Sequence, residues 1–249
     1  MKLRRWFPLQ QLLFATVVFI SAAAFAQDTI TTRDGKTQQV KIMGVTGSSV
    51  QVQVGAGTLG LPLANIAKVT MAPPVEFAAG MKAYEAKDYT KALASIKGVA
   101  EKFRGLPIEW AQQASSMLGD VYIALNRTPE AETAYKDFQK SYPGAGSAQA
   151  DVGIARVAFS KKDLATAKAK LEPICAQALK EKVAPKNLAM AYSQAFYLSG
   201  QIKESGGDFA GALEDYLRTV ALFPQDRLAV SAAQERADAM RKEHGVATP

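Results

Sequence analysis

A chain with one cysteine and one histidine has few ways to perform chemistry. Cys175 has no partner for an internal disulfide and stands between Ile174 and Ala176, the setting of an inert packed thiol rather than a nucleophile. His244, five residues from the end, is expected in a frayed tail. Zinc clusters and His-centred triads need more than this chain supplies. Carboxylate pairs such as Asp208 with Glu214, or Glu181 with Glu204, have no surrounding groups that would tune them, and carboxylates on helices are ordinarily solvated. Asn126-Arg127-Thr128 spells a glycosylation acceptor, which matters only in a eukaryotic secretory pathway. The expectation is no enzyme, no metal and no cofactor.

One motif argues the other way. Gly55, Gly57 and Gly60 spell G-x-G-x-x-G directly after a strand-like run, the spelling of a dinucleotide-binding turn. The preceding strand alternates Val with Gln, so one face meets water, whereas the first strand of a nucleotide-binding fold is buried on both faces. Pro62 and the β-like stretch from Leu59 to Val69 stand where a helix is required. These glycines are read as a hairpin.

The elements that must position any site follow from length and patterning. With 249 residues, 48% hydrophobic and 21% charged, the chain can fold unaided as one or two domains. Met1 to Ala26 combines a basic start (Lys2, Arg4, Arg5), an apolar run from Leu12 to Phe25 and the ending Ala24-Phe25-Ala26. That order reads as a secretory signal peptide cleaved after Ala26, an uncleaved anchor being the alternative. Cleavage would lower the formal charge from +7 to +4, with 27 basic residues against 23 acidic. The remaining charges are interspersed, which argues against nucleic acid as a partner. The expected location is periplasmic or secreted, with no stable membrane span after cleavage.

Residues 27–72 alternate with period two: Val40 and Ile42, then Val50, Val52 and Val54, then Leu59 and Leu61, then Ile66 and Val69. Asp34-Gly35 and Gly47-Ser48-Ser49 supply turns between these runs. Four or five short strands would make a small barrel-like module with little core of its own, so packing on a neighbour or self-association is expected. The order of these features resembles the small SH3-like or Sm-like barrels, but no aromatic platform or arginine cluster for RNA is present.

Residues 73–225 change to helical periodicity and repeat. A small residue and an alanine recur twelve apart: Gly80 and Ala92, Gly119 and Ala131, Ala155 and Ala167, Gly200 and Ala212. A large apolar residue follows each alanine by four: Ile96, Tyr135, Leu171, Tyr216. Two helices joined by a tight turn approach closely where side chains are small, so the glycine is expected to meet the alanine, while the large residue fills the space toward the next pair. Pro143 and Pro224 are expected to stop second helices, and Pro173 to kink or end one. The stretch from Asp226 to Glu243, within residues 226–249, reads as a capping helix and tail.

Leu118-Gly119, Tyr122, Ala131, Tyr135 and Pro143, and again Gly200, Asp208-Phe209, Ala212, Tyr216 and Pro224, resemble the tetratricopeptide repeat (TPR) family. The alanine steps of 39, 36 and 45 exceed that family's 34, which places extra residues in links at Arg104 to Ile108, Gly144 to Ser147 and Lys180 to Pro185. The resemblance implies an α+β multidomain chain: a small β-barrel-like module, then an all-α superhelix of four helix pairs. In layout it is similar to periplasmic TPR proteins that serve envelope machines, without their N-terminal coiled coil or lipidated cysteine.

The resemblance also implies a concave groove made by the first helices. Its positions here are Phe77, Met81 and Tyr84; Gln113, Ser116, Asp120 and Ile123; Gln149, Val152, Arg156 and Phe159; Gln194, Tyr197, Gln201 and Glu204. This amide-rich and aromatic lining suits a protein or peptide segment with apolar anchors and disfavours a C-terminal carboxylate. Aromatic residues at helical spacing also fill cores, Phe159 and Phe196 in particular. The function expected is an exported, non-catalytic adaptor in the cell envelope. A self-assembling structural protein and a cell-wall carbohydrate binder are the alternatives.

Overall fold

The computed structural model describes residues 28–181 and 183–247, so the leader expected at residues 1–26 lies outside the described residues. Five strands come first: β1 (Asp28–Thr32), β2 (Thr37–Thr46), β3 (Ser49–Val54), β4 (Gly57–Pro62) and β5 (Ile66–Thr70). They form one antiparallel sheet in the order β4-β3-β2-β1-β5. Ile30, Ile42, Val50, Val52, Ile66 and Val69 are buried on one side of the sheet, whereas Val40 and Leu61 of the expected apolar set are half-buried and Val54 and Leu59, at the β3–β4 end, are exposed. Gly55, at φ 57°, opens the β3–β4 turn, and Gly57 and Gly60 lie within β4, so the G-x-G-x-x-G spelling is a hairpin. No ladder joins β4 to β5 among the described residues, and the barrel-like module is an open sheet.

The sheet does not stand alone. Its pairing slips by one residue between Ile42 and Gly44, and Gly44 there takes a φ of 146°. A Cβ at Gly44 would lie 2.9 Å from the Lys102 carbonyl oxygen, so a bare backbone is what lets the first helices close on the strand. The indole Nε1 of Trp110 donates to the Met71 carbonyl at 3.1 Å, and the Phe77 and Phe103 rings pack on Trp110. One continuous apolar cluster runs from the sheet interior into the first two helix pairs. A module too small to hold its own core thereby borrows one.

Nine helices follow among the described residues: α1 (Val75–Glu85), α2 (Tyr89–Lys102), α3 (Glu109–Ala124), α4 (Thr128–Ser141), α5 (Ala145–Ser160), α6 (Leu164–Lys180), α7 (Ala189–Ser205), α8 (Phe209–Ala221) and α9 (Arg227–His244). The first eight pack as four helical hairpins, and α9 lies on α7 and α8. Each hairpin turns in the same way. Lys87, Asn126, Lys162 and Gly207 have positive φ, and the next residue's N–H bonds back to the carbonyls of Ala83, Tyr122, Ala158 and Lys203. This left-handed closure satisfies carbonyls that the helix end would otherwise strand. Asp88, Asp163 and Asp208 then cap the following helix, accepting from the N–H groups of Lys91, Thr166 and Gly211. The second copy has Arg127 there instead, with Pro129 in the first turn of α4 and an Arg127 to Glu130 ion pair.

The packing corrects one expectation. The glycines sit beneath the large residues rather than opposite the alanines: a Cβ on Gly80 would fall 2.4 Å from Ile96, on Gly119 2.5 Å from the Tyr135 ring and on Gly200 2.6 Å from the Tyr216 ring. Gly153 of α5 approaches Tyr135 from the other side, at 2.2 Å, so that ring is clasped between two hairpins. Three further expectations shift. Of the two outcomes expected at Pro173, an end to the helix is excluded, since α6 runs on to Lys180. The expected link at Gly144 to Ser147 is already helical from Ala145. His244 is in the last turn of α9, its ring stacked on Phe209 with centroids 3.6 Å apart, because α9 folds back along α8.

Candidate functional site

The first helix of each hairpin contacts the next, so α1, α3, α5, α7 and α9 lie side by side and form an inner face. Their inward residues come from four or five different helices, each fixed by the tight hairpin beneath it. Phe77, Val152 and Gln194 are buried, Phe77 as part of the core around Trp110. Met81, Tyr84, Gln113, Asp120, Ile123, Gln149, Arg156, Phe159, Tyr197, Gln201 and Glu204 are half-buried. Phe196 is core, stacked on Phe223 at 5.2 Å.

Two three-residue arrangements dominate the polar geometry. Tyr135 of α4 donates its hydroxyl to Asp120 of α3 at 2.5 Å, and Asp120 pairs with Arg156 of α5. Tyr216 of α8 donates to Glu204 of α7 at 2.6 Å, and Glu204 pairs with Arg236 of α9. In each, a tyrosine of the second helix orients a carboxylate of the first, which holds an arginine of the helix that follows the hairpin. A third chain links α5, α7 and the start of α9, from the Gln149 amide to Gln194 at 2.5 Å and from Gln194 to Asp226 at 2.6 Å. Gln201 donates to the Tyr197 hydroxyl at 3.2 Å.

Burial raises the Tyr84 and Tyr197 hydroxyls above the usual tyrosine range, and the positive charge of Arg156 opposes the shift at both. Arg156 therefore acts on α1 and α7 as well as on Asp120. Burial alone would raise the Glu204 carboxyl, but hydrogen bonds from Arg236 and Tyr216 outweigh it and lower the pKa. A depressed folded-state pKa contributes stability above the unfolded value, about 4.3, that is lost as pH falls through the folded value. Glu204→Gln is therefore expected to melt lower at neutral pH and to lose less on acidification below about pH 4. Melting curves across that range check this, and parallel curves for the two proteins would refute it.

Both arginines on this face are committed to carboxylates, so neither is left to clamp an anionic ligand. Cys175 is half-buried on α6, and burial pushes its thiol up to about 12, which suppresses the reactive thiolate. Among the described residues no group of three or more His, Cys, Asp and Glu side chains could hold a metal ion. No described helix is long and apolar enough to cross a membrane.

Sequence reasoning brought Asp120, Arg156, Gln194 and Glu204 to one face and missed the residues from other elements that bond to them, Tyr135, Asp226, Tyr216 and Arg236. Tyr135 and Tyr216 were legible only as packing residues, and Asp226 and Arg236 only as parts of the cap. One signal recurs: Arg156 and Arg236 each stand three residues after a small one, Gly153 and Ala233. The carboxylates do not share a spacing, since Asp120 follows Gly119 by one residue and Glu204 follows Gly200 by four.

The fold and this face define a helical-repeat protein with an attached β-sheet. Residues 113–145 match the family model described as tetratricopeptide repeat. The matched stretch covers most of α3, all of α4 and their shared turn, so the second of the four hairpins is similar to a tetratricopeptide repeat, a type of repeat typical of protein-interaction modules. No curated protein matches the chain significantly.

Proposed function

We propose that this chain is an exported, non-catalytic adaptor whose inner face holds a segment of a protein partner in the cell envelope. The observation that carries the reading is the pre-ordered inner face. Its polar side chains are fixed by one another before any ligand arrives, while Met81, Tyr84, Ile123 and Tyr197 keep apolar surface between them. A surface ordered in advance loses little entropy on binding. Export rests on the order of basic, apolar and small residues in Met1 to Ala26. The β-sheet, in which the last strand pairs with the first, supports an SH3-like reading and a second docking role.

Self-assembly has one observation in its favour. β4 is an unpaired edge without charged residues, with Leu59 52% and neighbouring Val54 57% exposed. A photo-crosslinking residue at Gln113, which takes part in neither arginine pair, tests the inner face in cells; the same residue at Leu59 tests the edge. Capture of one distinct protein from position 113 is the expected result. A second copy of this chain captured from position 59, with nothing from position 113, would replace the adaptor by an assembly.

A further inference from the structure

We propose that the inner face ends in a socket for one uncharged aromatic side chain of the partner, where α5, α7, α8 and α9 meet; this rests on the adaptor reading above. The cavity there measures about 310 Å³ and is lined by Phe159, Gln201, Glu204, Phe209, Tyr216 and Arg236. That volume stands at the bottom of the range that takes whole small-molecule ligands, so it suits a single side chain better than a disaccharide.

The phenylalanines show what the cavity is for. From α1 onward, Phe77, Phe103, Phe138, Phe196 and Phe223 are buried. Phe159 and Phe209 are the two that keep open surface, and both line this cavity. Phe209 is braced by the stacked His244 ring, so its orientation is fixed before anything enters. Tyr135 is clasped by Gly119 and Gly153, whereas the residue that precedes Arg236 as Gly153 precedes Arg156 is Ala233, buried in the same apolar cluster as Tyr216.

Charge selects the occupant. Glu204 and Arg236 neutralise each other on the cavity wall, and Glu204 also accepts from Tyr216. A lysine or glutamate seated in this open cleft would shed part of its water and find no free counter-charge. An aromatic ring gains apolar burial, edge or offset contact with two phenylalanines and the nearby guanidinium.

The test uses isotope-labelled full-length protein and four probes: N-acetyl-tryptophanamide, N-acetyl-alaninamide, N-acetyl-lysinamide and diacetylchitobiose. The tryptophan probe is expected to shift the backbone amide signals of Phe159 and Phe209 saturably, with little dependence on salt. The alanine and lysine probes should bind on the order of tenfold more weakly or worse. Ser205→Phe, which fills the cavity from its exposed rim, should abolish the shifts without changing the melting temperature, and Phe209→Leu should weaken them. Equal binding of the alanine probe, binding of diacetylchitobiose instead, or no saturable shift at these two residues overturns the socket. Loss of the socket with a protein still captured from position 113 leaves the adaptor standing. A saturable socket with no protein captured supports the socket and removes the adaptor.

Discussion

Gly153→Ala is expected to destabilise the protein by about 1–3 kcal/mol or more, although alanine is the better helix former. The added Cβ would lie 2.2 Å from Tyr135 ring carbons, closer than any real contact. The ring cannot retreat, because Gly119 is against its other side and its hydroxyl is held by Asp120. The hairpins would have to separate, weakening the Asp120 pair with Arg156 along with the packing. Gly98→Ala is the control of opposite sign. Gly98 is an exposed position of α2 with nothing within 4 Å of an added Cβ, so the same change should stabilise by about 0.5–1 kcal/mol. At roughly 2–4 °C per kcal/mol for a chain of this size, calorimetry resolves both. If both substitutions raise the melting temperature, Tyr135 is not wedged between the hairpins.

The second large effect is expected at Asp215, whose side chain is 2% exposed and meets Lys203, Arg218 and the Ser199 hydroxyl. Removing one side of a buried ion pair costs about 3–5 kcal/mol when the charge left behind has no other partner. The two sides here are unequal. Lys203 and Arg218 are 31% and 24% exposed, and Arg218 also pairs with Glu214, so after Asp215→Ala water and Glu214 can take over. The double change Lys203→Met with Arg218→Met strands the carboxylate instead, and should cost about 3–5 kcal/mol, more than Asp215→Ala. Combining all three removes the stranded charge and should recover part of the loss. Urea titrations of the three proteins check the order. A triple variant weaker than the double one would mean that the network contributes net stability beyond its charges.

Much of this architecture was legible because its signals are local. Period-two runs placed the strands, since alternation in a half-buried strand reports its two faces directly. The recurrence of Gly80, Gly119 and Gly200 ahead of Ile96, Tyr135 and Tyr216 placed the hairpins. The contact was misassigned, glycine to alanine rather than glycine to ring, because spacing gives the face of a helix and not its height against a neighbour. His244 was misjudged for a related reason: distance from the chain end says nothing about whether a helix folds back onto a core.

By itself the sequence determined the kinds of element, their order, the four hairpins and the scarcity of catalytic groups. These depend on periodicity, turn chemistry and residue inventory, each confined to a few neighbouring positions. Tertiary structure decided which carboxylate each arginine reaches, where the sheet finds its core, and that Phe159 and Phe209 share an open cavity while Phe196 and Phe223 close on each other. The physical reason is that unequal links between the hairpins, with alanine steps of 39, 36 and 45, change how each pair is set against the next. Contacts across those junctions are fixed only when all the pairs have packed together.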